Sequence, residues 1–370
     1  MDDTLLRVAL VGGPMYDHLY RILDPNEVEV VVHEDHPTLN REVARRLAAG
    51  ERIDVLATHS KYAPSQATWL LPLDDLLPAE ALASLAPKAL DLCRFEGRLL
   101  CIPRLIDVRI LWVRRDRVSV VPRTWNDLVS SDVRFGFPGR ESGLFGTFFE
   151  LVVGAGGALF DSYGAPTCAT PHAVAAVETL RRLAERAPDD LPSWHYDEVD
   201  AALLDGRIDA AGAWPGAWGA IDASPLSDVL EPHPYPTGAK RWVSYAGCHA
   251  WAIPSTCGDI GRARQLVSTL IGADAQGIDA AGGNICAHLA AQRGVVATSP
   301  LDAARLEVTA RTVDEAMITY PPLIRFPEIE DAGWSAIHDV LLGRSGPDDA
   351  VAALQTAAET VLATRTEETT

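Results

Sequence analysis

Two tryptophans four residues apart are the first feature of this 370-residue sequence that could do chemistry. Trp214 and Trp218 flank Pro215, which favours the first turn of a helix, and a spacing of four places both indoles on one side of such a helix. Indole faces stack on the apolar faces of sugar rings, while planar polar side chains bind the hydroxyls. The pair therefore predicts a site for a polyhydroxylated small molecule, with packing in the core as the alternative.

Polar side chains also follow two apolar segments that read as strands. Tyr16 comes shortly after the apolar run 5–11, and His59 and Ser60 come directly after the run 53–57. Ligands of open α/β sheets bind just beyond the carboxyl ends of the strands. We therefore expect Tyr16, His59 and Ser60 to contact a ligand, the alternative being that they are ordinary loop residues.

The sequence contains none of the common catalytic or metal-binding motifs. Cys248 and His249 are neighbours, but adjacent residues of a strand point to opposite faces and cannot form a thiol–imidazole pair. The patterns G-x-S-x-G, H-E-x-x-H and Walker A are absent, and the six cysteines are scattered without a C-x-x-C pair. We expect neither an enzyme nor a bound metal or cofactor.

The elements that would position these residues alternate between strands and helices. Apolar runs at 5–11, 28–32 and 53–57 are separated by segments with helical spacing, which predicts an α/β protein with a mostly parallel sheet. The segment 71–77 reads as the start of a helix. Further helices are predicted at 143–155, 171–187, 195–205, 259–272, 274–281, 303–316, 328–343 and 347–364.

Composition excludes several classes of partner. The chain has 51 acidic and 32 basic residues, and its net charge of −19 repels nucleic acid and anionic lipid. The length favours two domains. The N-terminus shows no basic and apolar leader, so the sequence as given reads as cytoplasmic. The alternative is an extracytoplasmic protein from which a signal sequence was removed.

Ten short motifs, in order along the chain, resemble those of the sugar-type extracellular solute-binding proteins, the receptors of ABC importers. They are LAAGERIDV at 47–55, LPLDDLL at 71–77, GRLLCIP at 97–103, ILWVRRD at 110–116, PRTWNDL at 122–128, GGALFD at 156–161, PHAVAAV at 171–177, GRIDAAGAW at 206–214, AGCHAWAI at 246–253 and LLGRSGPDDA at 341–350.

The resemblance implies a two-lobed periplasmic-binding-protein fold of type II, with mixed, mostly parallel sheets flanked by helices and a ligand cleft between the lobes. Lobe one is expected to comprise 1–108 and 246–300, and lobe two 109–245 and 301–370. The hinge is expected near 104–111 and 243–249.

The resemblance also implies further ligand-binding residues. At the second crossover, Gly247 would let the backbone approach the ligand, and Cys248 or His249 would face it. Asp107 and Arg109 lie at the first crossover, where Asp107 would accept hydrogen bonds from sugar hydroxyls and Arg109 would suit a carboxylate or phosphate. Asn284 lies in a loop where family members reach the ligand.

These features together predict a solute-binding protein that captures a saccharide, a glycoside or a related polar small molecule by hinge closure. Its expected partners are the ligand and an ABC transporter permease, with no nucleic acid, and we expect a monomer. The alternative is a leaderless cytoplasmic relative that uses the cleft for natural-product biosynthesis, sequestration or catalysis.

Overall fold

The computed structural model describes residues 5–363 and divides into two compact units. Unit 1 comprises the chain up to Asp107 together with Gly247–Val296. Unit 2 comprises Val108–Ala246 and the chain from Ala297 onward. Each unit is therefore assembled from stretches that are far apart in the sequence.

The strands are β1 (Leu6–Val11), β2 (Val28–Glu34), β3 (Val55–His59), β4 (Arg94–Phe95), β5 (Arg98–Leu99), β6 (Ile102–Asp107), β7 (Ile110–Arg114), β8 (Phe135–Gly136), β9 (Ala210–Ala213), β10 (Leu230–His233), β11 (Ser244–Tyr245), β12 (Gly247–Ala252), β13 (Ile285–Cys286) and β14 (Met317–Ile318).

The α-helices are α1 (His36–Ala48), α2 (Ala79–Ala83), α3 (Pro87–Leu92), α4 (Trp125–Ser130), α5 (Glu141–Gly154), α6 (Pro171–Ala184), α7 (Tyr196–Leu204), α8 (Trp218–Asp222), α9 (Ile260–Leu270), α10 (Ala273–Ala281), α11 (Leu289–Arg293), α12 (Pro300–Glu315), α13 (Phe326–Leu341) and α14 (Pro347–Ala363). Short 3-10 helices span Leu19–Ile22, Leu191–Ser193, Pro215–Ala217 and Ser227–Val229. Within residues 5–363, none of the helices has the length and apolar character needed to cross a membrane.

Unit 1 is built on a six-stranded sheet with the order β13-β6-β12-β3-β1-β2. β1 is parallel to both β2 and β3, while β12 is antiparallel to both β3 and β6. The inner strands β1 and β3 are almost entirely buried, in keeping with their apolar runs. Helix α1 begins where the side chain of Asp35 accepts a hydrogen bond from the backbone N–H of Thr38.

Strand β12 brings the predicted site residues of unit 1 together. Its register sets His249 opposite His59 on β3 and Gly247 opposite Asp107 on β6. A Cβ atom on Gly247 would collide with the imidazole of His59. Glycine is therefore required at 247 by the neighbouring ring.

Unit 2 contains a four-stranded sheet with the order β10-β7-β9-β8 and a two-stranded parallel pair, β11 and β14. β7 is antiparallel to β10 and β9, and β8 is parallel to β9. Helix α5 is buried along nearly its whole length, and its Phe145 and Phe148 lie in the hydrophobic core of this unit. The uniformly apolar sequence of α5 is typical of such a central helix.

The sequence misplaces one helix near the start of the chain. The segment 71–77 contains turns, and α2 begins only at Ala79. The side chain of Asp74 accepts hydrogen bonds from the backbone N–H of Leu99 and from Arg94. Asp74 therefore ties this loop to the β4–β5 hairpin instead of capping a helix.

A buried ion pair holds the first loop of unit 1 in place. Arg104 on β6 donates two hydrogen bonds of 2.8 Å to the carboxylate of Asp279 on α10. The same guanidinium donates to the carbonyl of Tyr16 at 3.1 Å and to the hydroxyl of Tyr20 at 3.3 Å. Burial opposes the charge on Asp279, but the hydrogen bonds and charge of Arg104 outweigh it and lower the pKa of that carboxyl.

We predict that Asp279→Asn destabilises the protein by about 3–5 kcal/mol, because it leaves the charge of Arg104 buried without a counter-ion. Urea unfolding monitored by circular dichroism measures the change. Glu315→Gln, which removes an exposed pair with Arg311, is the control and should have a much smaller effect. Equal effects of the two substitutions would contradict the importance of the buried pair.

We predict that Gly247→Ala costs about 1–3 kcal/mol, because the added methyl group must displace the ring of His59. The matched control in the same unit is Gly277→Ala in α10, where a Cβ atom has open space around it. That control should be stabilising by about 0.5–1 kcal/mol, as expected for glycine in a helix. A Gly247→Ala variant as stable as the control would show that the ring is not held in place.

Candidate ligand-binding residues

His249 is the centre of a polar cluster within unit 1. Its Nε2 lies 2.5 Å from Oδ2 of Asp107 and 3.1 Å from the hydroxyl oxygen of Tyr16. Its Nδ1 lies 2.6 Å from Nε2 of His36. A carboxylate only accepts hydrogen bonds, so Nε2 of His249 donates to Asp107, while the donor in the hydrogen bond between Nδ1 and His36 depends on the tautomers of the two rings. These contacts fix the orientation of the ring.

His59 completes the cluster from β3. Its Nε2 lies 4.0 Å from Oδ2 of Asp107, and its Nδ1 accepts the backbone N–H of Lys61 at 3.2 Å. Burial lowers the pKa of both His36 and His59 well below the ordinary value, and the neighbouring charge of His249 adds to the effect. Both imidazoles are therefore neutral near pH 7.

Asp107 has an unusual environment for a carboxylate. It is 5% exposed, and its Oδ1 is buried without a hydrogen-bond partner. The predicted site residues Asp107, His59 and His249 thus lie together, but they contact one another and are nearly inaccessible.

Two of the predicted residues in this region have structural contacts instead. The hydroxyl of Ser60 lies 3.0 Å from the backbone N–H of Cys248, and the backbone N–H of Ser60 donates to the carbonyl of Cys248. Cys248 is completely buried, and its thiol contacts that of Cys93. Alternation along β12 turns Cys248 away from His249, which argues against the expected contact of Cys248 with a ligand.

The remaining two predicted residues of unit 1 differ in exposure. Tyr16 is half-buried and packs edge-on against His36 and His249, with ring centroids 5.7 Å and 4.9 Å apart. The amide nitrogen of Asn284 donates to the carbonyl of Met15 at 3.2 Å, which supports the loop that carries Tyr16. Tyr16 is therefore partly exposed, while Asn284 is buried and supports the preceding residue of the loop.

In unit 2, Arg109 is committed to a buried carboxylate. Its guanidinium donates to Glu150 and, at 3.0 Å, to the hydroxyl of Thr147, both on α5. Glu150 also accepts the backbone N–H of Tyr245. Burial raises the pKa of Glu150 to about 7, against the opposing charge of Arg109. Arg109 is buried and its charge is paired with Glu150, which argues against the expected contact with a ligand carboxylate or phosphate.

Trp214 lies over this ion pair. Its ring centroid is 5.3 Å from the guanidinium carbon of Arg109, and it meets Tyr196 and Tyr245 edge-on at 5.8 Å and 6.3 Å. Trp214 is only half-buried, so part of the indole is accessible. The cation beneath and the tyrosines beside it hold the ring in place.

Trp218 does not share this environment. It is 7% exposed, stacks on Trp112 with centroids 6.3 Å apart and lies 4.4 Å from the guanidinium of Arg305. Because Trp214 precedes the 3-10 turn in extended backbone and Trp218 begins α8, the two residues are not on one helix. The expectation that both indoles face one side is wrong, and Trp218 belongs to the core.

Sequence reasoning missed His36 and Glu150, which hold the two clusters together. A signal existed for Glu150, a carboxylate in the apolar interior of helix α5 that needs a buried cation as partner. His36 offered no comparable signal, since it reads as an ordinary residue at the start of α1.

The fold matches solved structures along nearly the whole chain. Maltose-bound MalE3 of T. maritima is 21% identical, with a TM-score of 0.85, covering 96% of this chain and 100% of that one. An ABC transporter solute-binding protein of Agrobacterium radiobacter K84 in complex with ribitol is 18% identical, with a TM-score of 0.84 over 97% and 99% of the two chains. The predicted α/β periplasmic-binding-protein fold of type II is confirmed. The expectation of mostly parallel sheets is wrong, because antiparallel strand pairs outnumber parallel ones among the described residues.

Two curated relatives are named as transport proteins. A probable ABC transporter-binding protein of Deinococcus radiodurans is 23% identical over 315 residues, which are 77% of this chain and 74% of that protein. A probable amino-acid ABC transporter periplasmic-binding protein of Sinorhizobium fredii is 27% identical over 160 residues, or 38% of this chain and 37% of the relative. The chain thus spans little more than a third of the second relative.

The family model described as bacterial extracellular solute-binding protein matches residues 25–277. The match covers more than half of the chain and includes every residue of the two clusters except Tyr16. Such proteins bind solutes and are not enzymes, which confirms the prediction that this chain is not an enzyme. On this evidence the chain belongs to the bacterial extracellular solute-binding protein family.

Proposed function

We propose that the protein captures a saccharide, a glycoside or a related polyol and delivers it to an ABC importer outside the cytoplasm. Family membership supports solute binding, and the maltose and ribitol in the two similar structures are of this chemical class. The matched proteins give no support to a biosynthetic or catalytic role for the cleft. A monomer remains our expectation.

The observation that carries the sugar assignment is the accessible indole of Trp214. The contacts with Arg109, Tyr196 and Tyr245 fix its ring before any ligand arrives. A rigid, partly exposed aromatic face loses little conformational entropy when a sugar ring stacks on it. The face of the Trp214 indole carries no net charge, so a ligand that stacks on it needs no charge of its own. This fits a neutral ligand.

Unit 1 would contribute polar groups through its accessible residues. Tyr16 and His36 are half-buried and contact His249, which is more deeply buried together with His59 and Asp107. A hydroxyl and an imidazole are suitable partners for sugar hydroxyls. We propose that these two residues make the first polar contacts, with His249 orienting both. Closure of the two units around the ligand stays a prediction.

The test is a panel of neutral mono- and oligosaccharides and polyols, titrated by isothermal calorimetry against wild-type protein and two variants. We predict that Trp214→Ala raises the Kd at least about tenfold, the equivalent of about 1.4 kcal/mol. Trp214→Phe keeps a smaller aromatic face and should have an intermediate effect. Calorimetry is needed because removing Trp214 also removes a fluorescent reporter.

Trp334→Phe on α13 is the control, because this half-buried residue is remote in sequence from the proposed contacts. It should leave the affinity unchanged. Absence of binding across the panel, by folded wild-type protein, would overturn the carbohydrate assignment. Binding that is unaffected by Trp214→Ala would leave a saccharide receptor but reject the stacking role of this indole.

A further inference from the structure

We propose that His59, Asp107 and His249 form a binding site for one divalent transition-metal ion of the zinc class. The site goes beyond the proposed sugar binding and does not depend on it. Each residue offers one ligand atom, and these atoms all lie within 4.8 Å of one another. The three side chains are 7–8% exposed, so the atoms converge inside unit 1 and not at its surface.

The buried carboxylate supplies the reason for a cation. Oδ1 of Asp107 is buried and has no hydrogen-bond partner. A buried, unpaired carboxylate oxygen is costly, because it has lost its hydration without a replacement. A cation bound between Asp107 and the two imidazoles would compensate that charge.

The spacing is close to what a tetrahedral ion requires. Metal–ligand distances of about 2.0–2.2 Å place neighbouring ligand atoms about 3.3 Å apart. Oδ2 of Asp107 is 2.5 Å from Nε2 of His249 and 4.0 Å from Nε2 of His59. The first distance must widen and the second must shorten, each by less than about 1 Å. Small side-chain rotations accomplish both changes.

The residue that is hydrogen-bonded to His249 favours metal binding through Nε2 of this ring. When the ion takes the lone pair of Nε2, the ring carries its proton on Nδ1 and donates it to Nε2 of His36, 2.6 Å away. A ligating histidine is usually held by such an acceptor on its other nitrogen. His59 exchanges its hydrogen bond from the N–H of Lys61 for the metal bond, since a neutral imidazole has only one nitrogen with a free lone pair.

The donor set indicates the class of ion. Two imidazoles and one carboxylate suit zinc and neighbouring ions such as cobalt and nickel, whereas calcium and magnesium prefer oxygen alone. Three protein ligands leave a fourth position open to water.

The test uses untagged protein that has been stripped with a chelator and dialysed, then titrated with zinc chloride by isothermal calorimetry without any sugar. We expect one zinc ion per chain. Asp107→Asn and His249→Gln should each raise the Kd for zinc by at least about tenfold, and His36→Gln should weaken binding by about tenfold while keeping the stoichiometry. Unfolding midpoints establish that each variant is folded.

His33→Gln is the matched control, because His33 pairs with Asp17 at the surface of the same unit, at 2.8 Å. It should bind zinc as the wild type does. Cobalt gives a second readout that does not depend on the variants: we expect the strong visible absorption of four-coordinate cobalt with wild-type protein. Zinc affinity equal in wild type, Asp107→Asn and His249→Gln, or no zinc binding by wild type, would overturn the site. Because no saccharide is present, neither result bears on the proposed sugar binding.

Discussion

Three charged side chains close together in the sequence, Arg104, Asp107 and Arg109, are buried, and each needs a partner from another part of the chain. A buried charge without a partner costs several kcal/mol, which is a large fraction of the free energy of unfolding of a domain. Asp279 pairs with Arg104, His249 with Asp107 and Glu150 with Arg109. The first two pairs fix the segment that returns to unit 1, and the third ties Arg109 to α5 within unit 2.

The need for a partner explains why Asp107 and Arg109, which the sequence predicts to contact a ligand, pair with other side chains of the protein. The sequence predicts ligand contacts at Asp107, Arg109 and His249, and all three lie in polar clusters. The sequence does not show which side chain pairs with each of these residues. Glu150 is only a short stretch from Arg109 in sequence, but its contact depends on how α5 packs in unit 2. A resemblance aligns backbone positions, and the partners of the side chains depend on three-dimensional packing.

The elements themselves were more accessible to sequence reasoning than the contacts. The helices α9, α10, α12, α13 and α14 lie close to their predicted bounds, because amphipathic spacing and capping residues are local signals. The short helix α11 was not predicted. The helix predicted to begin in segment 71–77 is wrong. Asp74 is of a type that often caps a helix, but its side chain binds Leu99 and Arg94. The prediction that Trp214 and Trp218 share one face of a helix is wrong for a related reason. The spacing rule holds only on a continuous helix, and here a 3-10 turn separates the two residues.

The polar cluster of unit 1 is arranged in two layers by exposure, and this bears on how it can serve two ligands. Tyr16 and His36 are half-buried, whereas Asp107, His59 and His249 are nearly inaccessible. In the proposed function, a sugar hydroxyl pairs with the outer residues and leaves the contact between Asp107 and His249 in place. An ion on Nε2 of His249 would displace the contact of this atom with the Tyr16 hydroxyl, whereas the hydrogen bond between Nδ1 and His36 would stay. The inner site would therefore fix the orientation of His36, because the ring of His249 would itself be held by a metal bond.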